Sequence, residues 1–193
     1  MMIPELSRDP FVETEQTRNV ISTTLEYLSR KLTWEGDVFL LDVGRTSPLT
    51  VAVNEAFDIK VYNTSGDLDE VFYIPIENFN AYCDWIYYDY ILYSHTIEHQ
   101  FNPLHTLLEL KKVMNAETKM FIILPCKPKF LWWEGHFHEI DNYRMKLLLK
   151  RAGLNIVSYE RHRVWRNWKF YFTGIRPLLR LFCEYNDYYE VKL

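Results

Sequence analysis

No stretch of this chain approaches the ~18 uninterrupted apolar residues of a membrane span, and its opening residues, MMIPELSRDPFVETEQ, have no apolar signal-like core. Cysteine is scarce. Cys83, Cys126 and Cys183 stand far apart, odd in number and without a CxxC pair. That argues against a disulfide framework or a structural cysteine–zinc site and fits a reducing compartment. A cytoplasmic protein is expected. An excess of positive charge is missing too: 22 basic residues face 26 acidic ones, a net charge of −4, so no general nucleic-acid surface is indicated. Glycine is the most telling shortage, with only 6 in 193 residues. Nucleotide-type sites usually place two or three glycines in one strand-to-helix turn. Here the apolar run VFLLDV ends at a lone Gly44, followed by Arg45, Thr46, Ser47 and Pro48.

What is present is the patterning of one α/β domain spanning residues 1–193. The aromatic share of 17% favours a tightly packed chain. Residues 14–32 read as a helix, with Ile21, Leu25, Leu28 and Leu32 on one apolar face. DVFLLDV is a strand buried on both faces, and Ser47-Pro48 opens a helix through LTVAVNEAF. IKVYN, VFYIPI, YDYILYS and KMFIILP are further strand candidates. Asn102-Pro103 starts a helix with Leu104, Leu107 and Leu108 inward, and Asp141 caps another that Gly153 ends. LNIVSYERHRV and the terminal YYEVKL are the last strands. The order predicts a mainly parallel, Rossmann-like sheet of seven strands, or a reduced version of it, with helices on both faces and the last strand antiparallel.

In that order the chain resembles the class I S-adenosylmethionine-dependent methyltransferases, especially small ones acting on metabolites and sugars. The resemblance covers residues 36–160. It rests on LLDVG, on YDYILYSHTIEHQFNPLHTLLELKKVM, on KMFIILP with its terminal proline, and on HFHEIDNYRMKLLLKRAGLNIVSYE. It implies S-adenosylmethionine as cofactor and a small-molecule or glycan acceptor methylated at oxygen or nitrogen. It also implies that Asp42, Gly44, Arg45 and Thr46 line the cofactor, Asn63 faces the ribose, and Glu77 and Asn78 meet the adenine. Two departures stand out. The turn is reduced to GRTSP, and Asn63 replaces the usual acidic residue. They leave open an alternative, a catalytically inactive methyltransferase fold serving as a binding or scaffold protein.

At the carboxyl end of the fourth strand the resemblance places Ser94 and His95 beside the reacting centre. His95 or His99 would act as general base, against the plainer reading of a histidine capping a strand. HTIEH also matches an inverted zinc-protease pattern, but zinc there needs both histidines one turn apart on an established helix and a third ligand. His95 follows a strand directly, and the helical pattern starts only at Asn102, so no metal is expected. WEGHFHEID offers His136, His138 and Glu139 near Trp132 and Trp133, residues that can ligate a metal but lack a further ligand pair; in the resembling family this is a loop over the pocket whose histidine often supports the fold rather than the reaction. Residues 161–183 hold six Lys/Arg and no acid, with Trp165, Trp168, Phe170, Tyr171 and Phe172 interleaved. Either they touch an anionic membrane surface or an acidic glycan, or the aromatics pack under the sheet and the cations form a solvated face.

Overall fold

The computed structural model describes residues 14–33, 38–44, 47–57, 59–64, 87–131, 136 and 138–193. Six strands form one sheet: β1 (Phe39–Val43), β2 (Lys60–Thr64), β3 (Tyr90–Ser94), β4 (Lys119–Cys126), β5 (Asn155–Arg163) and β6 (Tyr185–Lys192). Their spatial order is β2-β1-β3-β4-β6-β5. The first four are mutually parallel, and β6 runs antiparallel between β4 and β5. The strand candidate VFYIPI lies outside the described residues.

Alternation along the central strands divides the core between the two sheet faces. Ile91 and Tyr93 of β3, with Met120, Ile122 and Leu124 of β4, meet helices α3 (Pro103–Lys111) and α4 (Asn142–Ala152) through Leu107, Leu110, Met145 and Leu149. Tyr90, Leu92, Phe121 and Ile123 meet α1 (Glu15–Ser29) and α2 (Pro48–Phe57) through Tyr27, Leu28, Leu49 and Val53. Each fully buried side chain of this size contributes about 1.5–3 kcal/mol. The continuous apolar runs of β1, β3 and β4 are what a sheet covered on both faces requires.

Helix ends follow local chemistry. The side chains of Thr14, Asn102 and Asp141 accept backbone N–H bonds at the starts of α1, α3 and α4, and Ser47 does so for α2. Gly153 ends α4 at φ +68°, the left-handed position that favours glycine. On α3 the inward face is rotated from the expected one. Leu107 and Leu110 are buried, whereas Leu108 is largely exposed, because Thr106 and Leu110 rather than Leu108 share the stripe with Leu107 and Pro103.

The β5–β6 connection departs further from expectation. It forms two short helices, α5 (Trp168–Tyr171) and α6 (Ile175–Cys183). Only Tyr171 of the five aromatics is buried; Trp165, Trp168 and Phe172 face solvent, as do Ile175, Leu178, Leu179 and Phe182. The cations form a solvated face only in part, since Arg161, Lys169 and Arg176 are exposed while Arg163, Arg166 and Arg180 are half-buried. Arg161 pairs with Asp187, Arg166 and Arg180 with Glu184, and Arg163 donates to Leu181 O and Tyr185 Oη. Buried carboxylates on or beside β6 draw the guanidinium groups inward and leave the apolar groups outside. No described helix is long and apolar enough to cross a membrane.

Candidate active site

β1 is followed by a connection that leads outward to β2, and β3 returns on its other side. The chain therefore diverges from two adjacent strand ends, and open α/β sheets bind ligands in the crevice this creates. Here the crevice is a cavity of about 350 Å³ lined by Asp42, Val43 and Ser47 from the β1–α2 turn, and by Ser94, His95 and Thr96 after β3. The N-terminal half of α1 forms its other wall, with Gln16, Thr17, Val20 and Ile21.

Thr96 joins the two strand ends. Its hydroxyl lies 2.9 Å from Val43 O and 3.0 Å from Ser94 O, one proton shared between two carbonyls. Gly44 sits against it at φ +129°, where an added Cβ would come within 2.6 Å of Thr96 Oγ1. The lone glycine thus answers a left-handed backbone and a close threonine, both internal to the chain.

Asp42 is buried, and Thr50 Oγ1 donates to its carboxylate. Thr50 Oγ1 in turn accepts from Ser47 N at 2.9 Å, and Thr50 N donates to Ser47 Oγ at 3.3 Å. The aspartate thereby anchors the start of α2 while lining the cavity. Ser94 Oγ is buried on the cavity wall with no hydrogen-bond partner among the described residues. Leaving such a group unmatched costs about 1–3 kcal/mol, and a bound polar ligand would recover it.

Among the described residues His95 is the non-glycine residue with positive φ, at 51°, and its N–H donates to Ile123 O at 2.8 Å. Strain of this kind recurs where a side chain must be aimed. Its Nε2 lies 3.3 Å from Asn186 Nδ2, and its Nδ1 lies 3.6 Å from Glu98 Oε1. An amide N–H can only donate, so Nε2 accepts and Nδ1 carries the proton toward Glu98. Burial works to raise the Glu98 carboxyl, but His95 and His99 beside it outweigh burial and hold it below its ordinary value.

His99 does not line the cavity. It ends a short turn, Ile97–His99, with its ring edge-on to His136, centroids 5.0 Å apart. His136 Nδ1 in turn lies 2.9 Å from Glu139 Oε1. His138 is elsewhere, bonded to Phe101 O. The backbone of Asn63 stands beside Asp42 in the β1–β2 register. Arg45, Thr46, Glu77, Asn78, Trp132 and Trp133 lie outside the described residues. Of the expected site residues, the fold brings Asp42, Gly44, Ser94 and His95 together. Sequence reasoning missed Thr96 and the α1 wall. A polar first turn on an otherwise amphipathic helix, Gln16-Thr17, was the available signal for the wall; nothing local announces Thr96.

Solved structures with this arrangement share very little sequence with the chain. A SAM-dependent methyltransferase from Archaeoglobus fulgidus superposes with a TM-score of 0.58 at 13% identity, covering 89% of this chain and 92% of that one. The mycolic acid cyclopropane synthase CmaA1, solved with SAH, gives 0.64 at 12% identity over 92% and 84%. The [4+2]-cyclase SpnF gives 0.67 at 10% identity over 91% and 82%. The fold is that of the class I methyltransferases. No family model matches the chain, and no curated protein matches it significantly. The methyltransferase fold explains the strand order and the position of the cavity. The presence of a cyclase among these structures shows that the fold alone does not fix the reaction.

Proposed function

We propose that the chain binds S-adenosylmethionine in this cavity and methylates a small-molecule or sugar-type acceptor at oxygen or nitrogen. The observation that carries the reading is Ser94, a buried, unmatched hydroxyl on the wall of a cavity at the switch point of a methyltransferase fold. The residues present fit the cofactor. Asp42 offers a carboxylate to a cationic ligand, Ser94 a hydroxyl, and Val20, Ile21 and Leu49 an apolar wall. Arg45 and Thr46 would complete the turn, with Asn63 on the ribose side and Glu77 and Asn78 on the adenine side.

The cofactor supplies an electrophilic methyl on a sulfonium, so the protein's task is largely positioning. His95 is the imidazole that lines the cavity, and it takes the base role ahead of His99. A proton from the acceptor would arrive at Nε2, replacing the Asn186 hydrogen bond. Glu98, facing Nδ1, would stabilise the resulting imidazolium.

Calorimetric titration with S-adenosylmethionine and S-adenosylhomocysteine tests the reading, together with a melting-temperature rise from preferential binding to the native state. One observation favours a second reading, a silent scaffold: Thr96 and the positive φ already account for Gly44 without a ligand. A folded chain that shows no heat and no thermal shift at millimolar ligand selects the scaffold. For partners beyond the acceptor, the reading assigns the outward apolar face of α5 and α6 to a lipid surface. Such a short amphipathic helix lies in the interface rather than across it.

A further inference from the structure

The turn after Ser94 leads directly into a cluster of which the methyl-transfer reading uses only Glu98, as the neighbour of His95 Nδ1. Glu98 is 2% exposed, and neither of its carboxylate oxygens has a hydrogen-bond partner among the described residues. A buried carboxylate left this way is costly unless a cation or strong donors compensate it. Two histidines stand around it. One oxygen of Glu98 and one ring nitrogen each of His99 and His136 lie within 4.8 Å of one another.

We propose that Glu98, His99 and His136 form a binding site for one divalent first-row transition-metal ion. Ligand atoms held at about 2.0–2.2 Å from a common ion stand roughly 3–4 Å apart, so small side-chain rotations close the observed spread. The ring of His136 is already oriented. Its Nδ1 engages Glu139 Oε1 at 2.9 Å, which directs Nε2 as the coordinating nitrogen. A carboxylate on the far nitrogen of a coordinating histidine is the recurrent support of metal sites, fixing tautomer and angle and raising basicity. Two imidazoles and one carboxylate suit zinc, iron, cobalt or manganese better than magnesium or calcium, which take oxygen ligands. His99 lies on the exposed side of the cluster and gives an ion its way in.

Two of the ligands are the last two residues of HTIEH and the third lies outside it, which is why HTIEH alone misleads. His95, the first histidine of that motif, points into the cavity and contributes Nδ1 only at 3.6 Å from Glu98. The third ligand arrives from a separate segment, which backbone pairing of His138 N with Glu98 O at 3.0 Å brings alongside. Three protein ligands leave coordination positions open, the composition of a site that acts on a bound oxygen rather than one that only staples the fold. A metal ion here would share Glu98 with His95, whose Nδ1 lies 3.6 Å from Oε1.

The test uses the whole chain stripped of metal, without cofactor, so its outcome is independent of the methyl-transfer reading. Cobalt(II) is titrated in, followed by calorimetry and by its visible absorption, with zinc as competitor and magnesium as the expected non-competitor. One equivalent should bind. Glu98→Gln and His136→Ala should each weaken binding by more than tenfold, and Glu139→Gln, which removes only the support of His136, by about tenfold. His105→Ala, on α3 and outside the cluster, should bind as the parent does. Circular dichroism and melting of each variant establish that it is folded. Should Glu98→Gln fail to fold, His136→Ala decides the question. Absence of saturable cobalt binding at 100-fold molar excess, with the chain folded, overturns the proposal and leaves Glu98 with His95 and His99 as neighbours of opposite tendency. Binding unchanged in both Glu98→Gln and His136→Ala overturns it equally.

Discussion

Gly44 and Ser94 make opposite demands on a substitution. At Gly44 any side chain meets Thr96 Oγ1 and an unfavourable φ, whatever the cavity holds. Gly44→Ala should therefore destabilise the free protein, by about 1–2 kcal/mol from the backbone alone. In a Thr96→Ala background, itself destabilised by loss of the bonds to Val43 O and Ser94 O, the additional cost of Gly44→Ala should be smaller but not zero, because the backbone strain persists. Chemical denaturation of the two single variants and the double variant measures both terms, and full additivity would contradict the contact. Ser94→Ala removes a hydroxyl that has no partner, so stability should hold or rise slightly while affinity for S-adenosylhomocysteine falls about two- to tenfold. Loss of stability without loss of affinity would mean that the hydroxyl is used by the fold. Gly44 was legible in the sequence as the one glycine of the strand-to-helix turn. Its cause was not, since Thr96 is 52 positions away along the chain and reaches Val43 O only across the sheet.

α1 illustrates how a single element joins packing to the cavity. Its apolar period Ile21, Leu25, Leu28, Leu32 was readable, yet the residues it buries completely are Thr24, Tyr27 and Leu28. The register is shifted because Tyr27 fits between Phe121 and Tyr188, at centroid distances of 5.9 and 4.9 Å. Tyr27→Ala should cost about 3–5 kcal/mol. It should also weaken ligand binding, because the same helix carries Gln16, Thr17, Val20 and Ile21 on the cavity wall. Tyr27→Phe should be neutral or stabilising, since the Tyr27 hydroxyl has no hydrogen-bond partner among the described residues. Thermal melting of both variants, with and without ligand, separates the two effects. At the other end of the chain, α5 and α6 turn Trp168, Phe172, Ile175 and Phe182 outward while the arginines bind Asp187 and Glu184. Sedimentation with phosphatidylcholine vesicles should therefore show binding that salt barely weakens and that Phe182→Ser with Trp168→Ser abolishes. Binding confined to anionic vesicles and lost in salt would instead place the contact on the cations.

Across the molecule, the 14 tyrosines supply a pH-dependent property of the whole fold. Burial raises Tyr27, Tyr93, Tyr188 and Tyr189 above the ordinary phenol value and pushes Tyr159 up to about 12. The folded chain then keeps protons that the unfolded chain releases from about pH 10 upward. The tyrosine contribution to stability should be level below about pH 10 and be lost as pH rises through the folded values, with phenolate absorbance appearing together with loss of circular dichroism. Tyrosine ionisation complete before any unfolding would show these side chains to be accessible. The alternation of helix and strand, the doubly covered sheet, the caps at Ser47, Asn102, Asp141 and Gly153, and the position of Ser94 and His95 at a strand end were all determined by the sequence itself. Each depends on residues within a few positions of one another, where periodicity and backbone chemistry act directly. Only tertiary structure decided that His99 leaves the cavity for His136, that Thr96 locks Gly44, and that carboxylates near β6 turn the C-terminal arginines inward and its aromatics out. Those outcomes depend on contacts between segments distant in the chain, and no local pattern encodes which distant partner will arrive.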